Sequence, residues 1–530
     1  MSKYTTEAEV EESYTVIHRT FKSGRTKSLK WRKWQLKQFW WMLEDNEEEM
    51  IKALHADLNR HEFESTFSEY AAVKRDILEH LEHLEEWAAD EKPDAGFVMG
   101  TLSGARIKKE PLGVALIIGP WNFPLSLTMQ PMIAAITAGC ACMVKPSEMA
   151  EGAQEFLVKM VPKYLDRDAI RVVTGGPAET GRILERKFDQ VFFTGSSKVA
   201  RFITSAAAKH LTPTVLELGG QGPAIITESA DIELAAQNIA WVKFLNAGQI
   251  CLSVNHVFVH PSVHDQLVKR LEYWNEEMLK GGKEHMVKII NERNFDRLKG
   301  MMDKSAGKIV YGGQTNRSKL YFHPTVVTDV TMKDPLMSEE LFGPICPIIK
   351  ADFRQAYQAI NKLPHPLAIY IFSKNKAQID EVIANTNSGG VTINGVLMHA
   401  GVPTAPFGGV GESGYGYYHG KHGFMAFTHT RTIVSPPALL NKLMTFVHPP
   451  YSISNKSKLA VKNKMGFKRG ETMDDQKIGQ RSFAVIATVL KITAFVGLLT
   501  LVDRQTGGHM GLMNVFKYAL ETAKAHLRQS

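Results

Sequence analysis

This sequence predicts an α/β protein built on parallel sheet. Two patterns carry that prediction. Short, continuously apolar runs have the character of strands buried on both faces, and stretches of helical periodicity alternate with them. A third observation bounds it: 530 residues, 44% apolar and 22% charged, suffice for about three domains of ordinary globular composition.

In chain order, residues 9 to about 95 read as helical. Apolar positions recur at three- and four-residue spacing through WRKWQLKQFWWMLEDNEEEMIKALHADL and YAAVKRDILEHLEHLEEWAADE. His80 and His83, one helical turn apart, read as a solvated helix face rather than a metal pair. The texture changes at Pro111. GVALIIGP, ACMVKP, AIRVVTGG and QVFFTGSS read as strands, with helices in PMIAAITAG, 152–165 and 178–186 between them. After Pro213 a second α/β region follows: VLELGGQGPAIIT, a helix over 231–247, HVFVH, and a long helix over 262–280. Residues 451–481 are polar and basic. Phe483–Val502 then gives an apolar run with one charge, Lys491, long enough to cross a hydrocarbon core. The last stretch places Leu512, Val515, Phe516, Ala519, Leu520, Ala523 and Leu527 on one helical face.

The net charge of +8 is not spread over the chain. Residues 441–530 hold 14 Lys and Arg against 5 Asp and Glu, which leaves the first 440 residues at −1. A near-neutral body argues against a nucleic-acid enzyme, whereas a basic tail suits an anionic surface. The cysteines are Cys140, Cys142, Cys251 and Cys346, with no C-x-x-C pair. That excludes a disulfide framework and leaves zinc without its usual spacing, so no metal is expected. The acidic, polar N-terminus lacks a secretory or transit pattern, so the expected compartment is reducing.

GVGESG at 409–414 has the spacing of a dinucleotide fingerprint, but it runs into GYGYYHG rather than a helix and reads as a tight loop near a pocket. Serine-hydrolase, P-loop and zinc-protease motifs are missing. A lone cysteine is usually a small buried hydrophobe. Cys251 differs in sitting among small and polar residues, NAGQICLSVN, in an open turn where a thiolate could meet a carbonyl beside free backbone N–H groups. Glu217 ends an apolar strand in LELGG. Partial desolvation there would raise its pKa toward general-base range, and a plain turn carboxylate is the equal alternative. Asn122 in GPWNFP can donate to an oxyanion, or can form an Asx turn.

GPWNFP, VKPSE, FTGSS, LELGG, NAGQIC, EELFGP and PFGGVGESG, in this order and at these separations, resemble the aldehyde dehydrogenase superfamily over about residues 10–440. AAAKHLTP, SGGVTINGVLMH and YHGK resemble its class 3, fatty-aldehyde branch. The resemblance implies Cys251 as nucleophile, Glu217 as general base, and an oxyanion hole of Asn122 and the Cys251 N–H. It implies cofactor contacts from Lys145, Glu148, Gly195, Ser196, Leu218, Glu340 and Phe342, and substrate-tunnel walls at Phe123 and Phe407. NAD is the implied cofactor, with NADP open. Two departures stand out: Ala200 where the family often has glycine, and Gln221 where it often has lysine.

The implied architecture is a parallel-sheet cofactor domain (9–96 and 112–214), an α/β catalytic domain (217–415) and a β arm for dimerisation (97–111 and 416–440). A basic linker (441–481), a membrane anchor helix (483–502) and an amphipathic tail (511–530) would follow. The expected reaction oxidises long-chain fatty aldehydes to acids through a thiohemiacetal and a thioester. Alternatives are a preference for aromatic or medium-chain aldehydes, and transfer of the acyl group to coenzyme A. The expected setting is a homodimer at the membrane of the endoplasmic reticulum, a lipid droplet or the mitochondrial outer membrane, with the enzyme in the cytosol and no nucleic-acid partner.

Overall fold

A computed structural model describes residues 4–282, 285–461 and 465–476. The chain divides into two units, Met1–Pro437 and Ala438–Ser530. The first begins with helices Glu7–Lys22, Leu29–Glu44 and Glu47–Leu58. A Thr6/Glu9 capping box starts the first, and Asn59, left-handed at φ 55, stops the third. A short helix, Glu62–Ser65, then passes through a π-helical turn, Thr66–Tyr70, into Ala71–Ala88. Single-turn π segments are frequent near functional sites. Here the irregular passage turns Arg60, Glu64 and Glu69 inward, and all three are buried.

The helix face carrying His80 is not solvated, as the sequence suggested. His80 is buried, its Nδ1 2.8 Å from Thr137 Oγ1 on helix Ser126–Ala138. The reason is that helix Ala71–Ala88 packs between two neighbours rather than one, so its second face meets protein too. His83 stacks on Trp87 at 5.3 Å. Among the described residues no three His, Cys, Asp or Glu side chains form a metal cluster.

Strands β1 (Arg106–Pro111), β2 (Val114–Ile118), β3 (Ala141–Lys145), β4 (Ile170–Val172), β5 (Gln190–Thr194) and β6 (Thr214–Glu217) lead through the first half. Then come β7 (Pro223–Ile226), β8 (His256–Val259), β9 (Lys308–Tyr311), β10 (Thr315–Asn316), β11 (Tyr321–Phe322) and β12 (Thr325–Thr328). The last are β13 (Ile345–Lys350), β14 (Ala368–Phe372), β15 (Gly390–Ile393), β16 (Gly414–Tyr415) and β17 (Thr428–Ile433).

A six-stranded sheet has the order β16-β6-β5-β2-β3-β4 and a seven-stranded sheet the order β15-β14-β7-β8-β13-β12-β9. Both are parallel except at one edge, where β16 and β9 run antiparallel. Every residue of β2, β3 and β5, and likewise of β7, β8 and β14, is buried. That matches the continuous apolar runs of strands covered by helices on both faces.

Only part of the span expected for an arm is paired as a ribbon. β1 and β17 form an antiparallel ribbon from Arg106↔Ile433 to Pro111↔Thr428. Residues 418–427 instead belong to the core: Tyr418, Phe424 and Phe427 are buried, and Gly420–Ala426 is a helix. Three large rings in ten residues are better buried than exposed, at roughly 1.5–3 kcal/mol each.

The second unit contains a helix, Ala438–Leu443, and 3₁₀ turns at Met444–Val447 and Ile453–Leu459. Tyr451, Ile453, Val461, Phe467 and Met473 are exposed. Among the described residues no helix is long and apolar enough to cross a membrane. The expected anchor (483–502) and amphipathic tail (511–530) lie outside the described residues.

Candidate active site

Three chain segments meet around Cys251. The first is the turn after β2, which carries Asn122. The second is the end of β6, which carries Glu217. The third is the turn 245–251, which follows helix Ile232–Phe244. The expected helix over 231–247 stops at Phe244 because Asn246 (φ 49), Ala247 (φ 50) and Gly248 (φ 67) are all left-handed. Non-glycine residues in that region cost on the order of 1–3 kcal/mol each, so surrounding contacts must hold them there.

Those contacts are hydrogen bonds. The Asn246 N–H donates to Glu64 Oε1 (2.8 Å), and its side-chain amide donates to the carbonyls of Asn122 (2.9 Å) and Gln249 (3.0 Å). Gln249 Nε2 donates to the carbonyls of Asn246 (3.0 Å) and Lys288 (3.1 Å), while its Oε1 accepts from the Ile290 N–H (3.0 Å). Asn122 Nδ2 donates to the Gln249 carbonyl at 3.1 Å. An amide nitrogen has two hydrogens, so one donor of Asn122 is committed to this turn and the other is left for a ligand.

Cys251 is half-buried, and its own backbone N–H and that of Leu252 face the sulfur. Burial, with the neighbouring charges of Glu340 and Glu217, pushes its thiol up to about 12. Glu217 is buried, and among the described residues neither carboxylate oxygen has a hydrogen-bond partner. Burial alone holds its pKa well above the usual carboxylate range. The strand pairs Glu217 with Gly414 of β16, and the Leu218 N–H donates to the Ser413 carbonyl (3.1 Å). GVGESG is thus an edge strand and turn beside Glu217, not a phosphate loop. Tyr418, buried, has Glu217 and Cys251 among the charges that raise its pKa.

Of the expected cofactor residues, Lys145, Glu148, Gly195, Ser196 and Leu218 lie at the C-terminal ends of β3, β5 and β6 of the six-stranded sheet, where parallel α/β sheets bind ligands, and Glu340 and Phe342 come from the loop between β12 and β13 of the other sheet. Lys145 ends β3 and donates to Glu148 Oε2 at 2.7 Å. Gly195 and Ser196 follow β5, and Ser196 caps helix Ser197–Ala208 through the Val199 N–H. Ala200, at the departure from the family pattern, is buried in that helix. Glu340 lies against Gly219, where an added Cβ would come within 2.4 Å of its carboxylate. Burial raises Glu340 to about 7. Phe342 packs edge-on to Trp121 at 5.3 Å, so the ELFGP loop touches the Asn122 turn. Gln221, at the other departure, donates to the Met337 carbonyl (2.9 Å). A paired lysine and glutamate, a helix N-terminus after a glycine, and a glycine that leaves room for a carboxylate fit a dinucleotide. Lys145 and Glu148 would face its adenosine ribose, and Glu340 and Phe342 its other end.

Phe407 is buried, stacked on His419 (5.0 Å) and His399 (6.4 Å). Phe123 is half-buried beneath the Arg60 guanidinium, 4.8 Å away. The residues sequence reasoning missed are Arg60, Glu64, Glu69, Asn246, Gln249 and Tyr418. Asn246 and Gln249 stood in plain view in NAGQIC, where a turn of polar residues before a buried cysteine was the available signal. Arg60 offered none, because a basic residue at a helix end reads as solvated.

An aldehyde dehydrogenase family model matches residues 2–433. The chain is 40% identical to the dimeric, NADP-preferring aldehyde dehydrogenase of Canis lupus familiaris, over 81% of this chain and 95% of that one. It is 41% identical to the beta-apo-4'-carotenal oxygenase of Neurospora crassa, over 82% of each. A substrate-bound structure of Staphylococcus aureus AldH superposes with a TM-score of 0.78 at 34% identity, covering 80% of this chain and 93% of that one. By family match, relatives and fold together, the chain belongs to the aldehyde dehydrogenase family.

Proposed function

We propose that this NAD(P)-dependent aldehyde dehydrogenase acts on long-chain, apolar aldehydes, and that Cys251, Glu217 and Asn122 do its chemistry. The observation that carries the reading of roles is the unpartnered Glu217 carboxylate, buried beside the Cys251 thiol. A buried carboxylate without a protein partner is costly, and a water admitted for reaction would satisfy it.

In this reading Cys251 gives up its thiol proton to solvent, and the thiolate Sγ attacks the carbonyl carbon. The oxygen takes up the negative charge and meets Asn122 Nδ2–H and the Cys251 N–H, each such donor being worth about 10²–10³ in rate. The bound dinucleotide supplies the hydride acceptor. Loss of hydride converts the thiohemiacetal on Cys251 into a thioester. Glu217 takes a proton from water, the water attacks the thioester, the thiolate leaves and the acid is released. Glu148 beside the ribose would repel a 2′-phosphate, which favours NAD over NADP. The presence of Glu217 disfavours acyl transfer to coenzyme A.

The aromatic lining at Phe123 and Phe407 supports an apolar substrate, as does the apolar aldehyde in the name of the Neurospora crassa relative. The basic linker and apolar 483–502 run support a cytosolic enzyme held at a membrane or lipid-droplet surface, where such aldehydes partition. The β1–β17 ribbon and the name of the dog relative support a homodimer.

The test is single turnover with a long-chain aldehyde. Cys251→Ser should give no NADH, because a hydroxyl is a far poorer nucleophile. Glu217→Gln should give about one NADH per site and then stall about 10²–10⁴-fold below wild type. Steady turnover by either variant would reassign that residue.

A further inference from the structure

Arg60 is among the largest fully buried side chains of the molecule, and its charged end stands between the two turns of the active site. Its Nη2 donates to the Asn122 carbonyl at 2.5 Å and to Asn246 Oδ1 at 2.8 Å. Its Nη1 pairs with Glu69 Oε1, and its Nε lies 3.7 Å from Glu64 Oε1. Glu69 Oε2 accepts from the N–H groups of Leu125 (2.9 Å) and Ser126 (2.8 Å), just past the Asn122 turn. Glu64 Oε1 accepts from the Asn246 N–H (2.8 Å). Each acidic partner of Arg60 thus reaches one turn, and the guanidinium itself reaches both.

The geometry points to Arg60 as a positioning residue that holds the oxyanion donor Asn122 and the strained turn 246–248 in one fixed relation. This rests on the roles given above to Cys251 and Asn122. Burying a cation is expensive and is tolerated only where several acceptors meet it. A planar fork can serve acceptors in divergent directions at once, while an ammonium is a point charge. Asn246 and Ala247 are left-handed, and Asn246 is gripped at its N–H, its amide nitrogen and its amide oxygen by Glu64, Asn122 and Arg60. A misplacement near 1 Å at a reacting centre can cost on the order of 10²-fold in rate.

The test compares Arg60→Lys with Asn122→Ala in the full chain. Lysine can keep the charge facing Glu69 but cannot also donate to Asn122 O and Asn246 Oδ1. Arg60→Lys should bind NAD with wild-type affinity and keep its aldehyde KM within about threefold. Its kcat and its single-turnover rate of NADH formation should fall about 10–100-fold. Combined with Asn246→Ala, the losses should be clearly less than multiplicative, since both substitutions break one clamp. Should Arg60→Lys fail to fold, Arg60→Met with Glu69→Met removes the buried ion pair and the guanidinium's bonds to both turns, leaving only the direct amide bonds between Asn122 and the 246–249 turn. The same loss of kcat is then expected in a folded protein. Full kcat in a folded variant of either kind, whatever its melting temperature, overturns the proposal. Full activity of Asn122→Ala would instead overturn the oxyanion reading and leave the Arg60 result to be judged on the double-mutant coupling alone, where strict multiplicativity again refutes the clamp.

Discussion

The Cys251 thiol is pushed up to about 12 by burial and by the charges of Glu340 and Glu217, so without nucleotide it is protonated at neutral pH. Well below a pKa, each unit of pH raises the thiolate fraction tenfold. Alkylation of Cys251 by iodoacetamide in nucleotide-free protein should therefore climb about tenfold per unit from pH 6 to 9 without a plateau. A plateau near pH 7 would mean that the thiol is already ionised. Glu217 is raised above the usual carboxylate range and must lose its proton to act. Thioester hydrolysis should thus show a rising limb above that range, absent in Glu217→Gln. The local backbone at Cys251, Glu217 and Asn122 was legible because each stands in a short motif that announces it. Arg60 was not, because its importance lies in acceptors 62 and 186 residues away in sequence.

The turn between helix Ile232–Phe244 and Cys251 is an element that periodicity misread. WVKFLNAGQ continues an apolar rhythm, so the sequence predicted helix to 247, yet the chain reverses hand at Asn246. Tertiary hydrogen bonds from Glu64, Arg60 and Asn122 override the local preference there. Gly248 completes the turn with φ +67, and an added Cβ would lie 2.4 Å from the Gly343 carbonyl. Gly248→Ala should lower the melting temperature, at a cost of about 1–3 kcal/mol, and reduce kcat through the displaced cysteine. Calorimetry and turnover check this, and unchanged values for both would show that the turn yields freely. The parallel strands, by contrast, were plain in the sequence, because burial on both faces leaves an unbroken apolar run.

For the whole molecule, the division at Pro437 separates a body carrying the chemistry from a segment carrying the excess positive charge. Six cations between Lys456 and Arg469 precede the apolar run, and on the proposed membrane attachment each would draw the tail to anionic lipid by about 1 kcal/mol near the surface. In that proposal Lys491 would oppose full insertion by roughly 2.5–3.5 kcal/mol, so a shallow embedding would compete with a span. A chain ending at about residue 455 should stay soluble and keep its activity on short aldehydes. It should lose activity on long-chain aldehydes presented in vesicles. Full-length protein that remains in the supernatant after membranes are pelleted and droplets floated would rule the anchor out.

The pairing of β16 with β6 joins Glu217 to Gly414, nearly two hundred residues later. During synthesis, then, β6 leaves the ribosome long before the strand that flanks it exists. Until that strand arrives, β6 is an open sheet edge of the kind that templates aggregation. Non-local closure of this sort slows folding. A nascent chain halted at residue 400 would already hold Cys251, Glu217 and Asn122, and would still have Glu217 on an unfinished sheet.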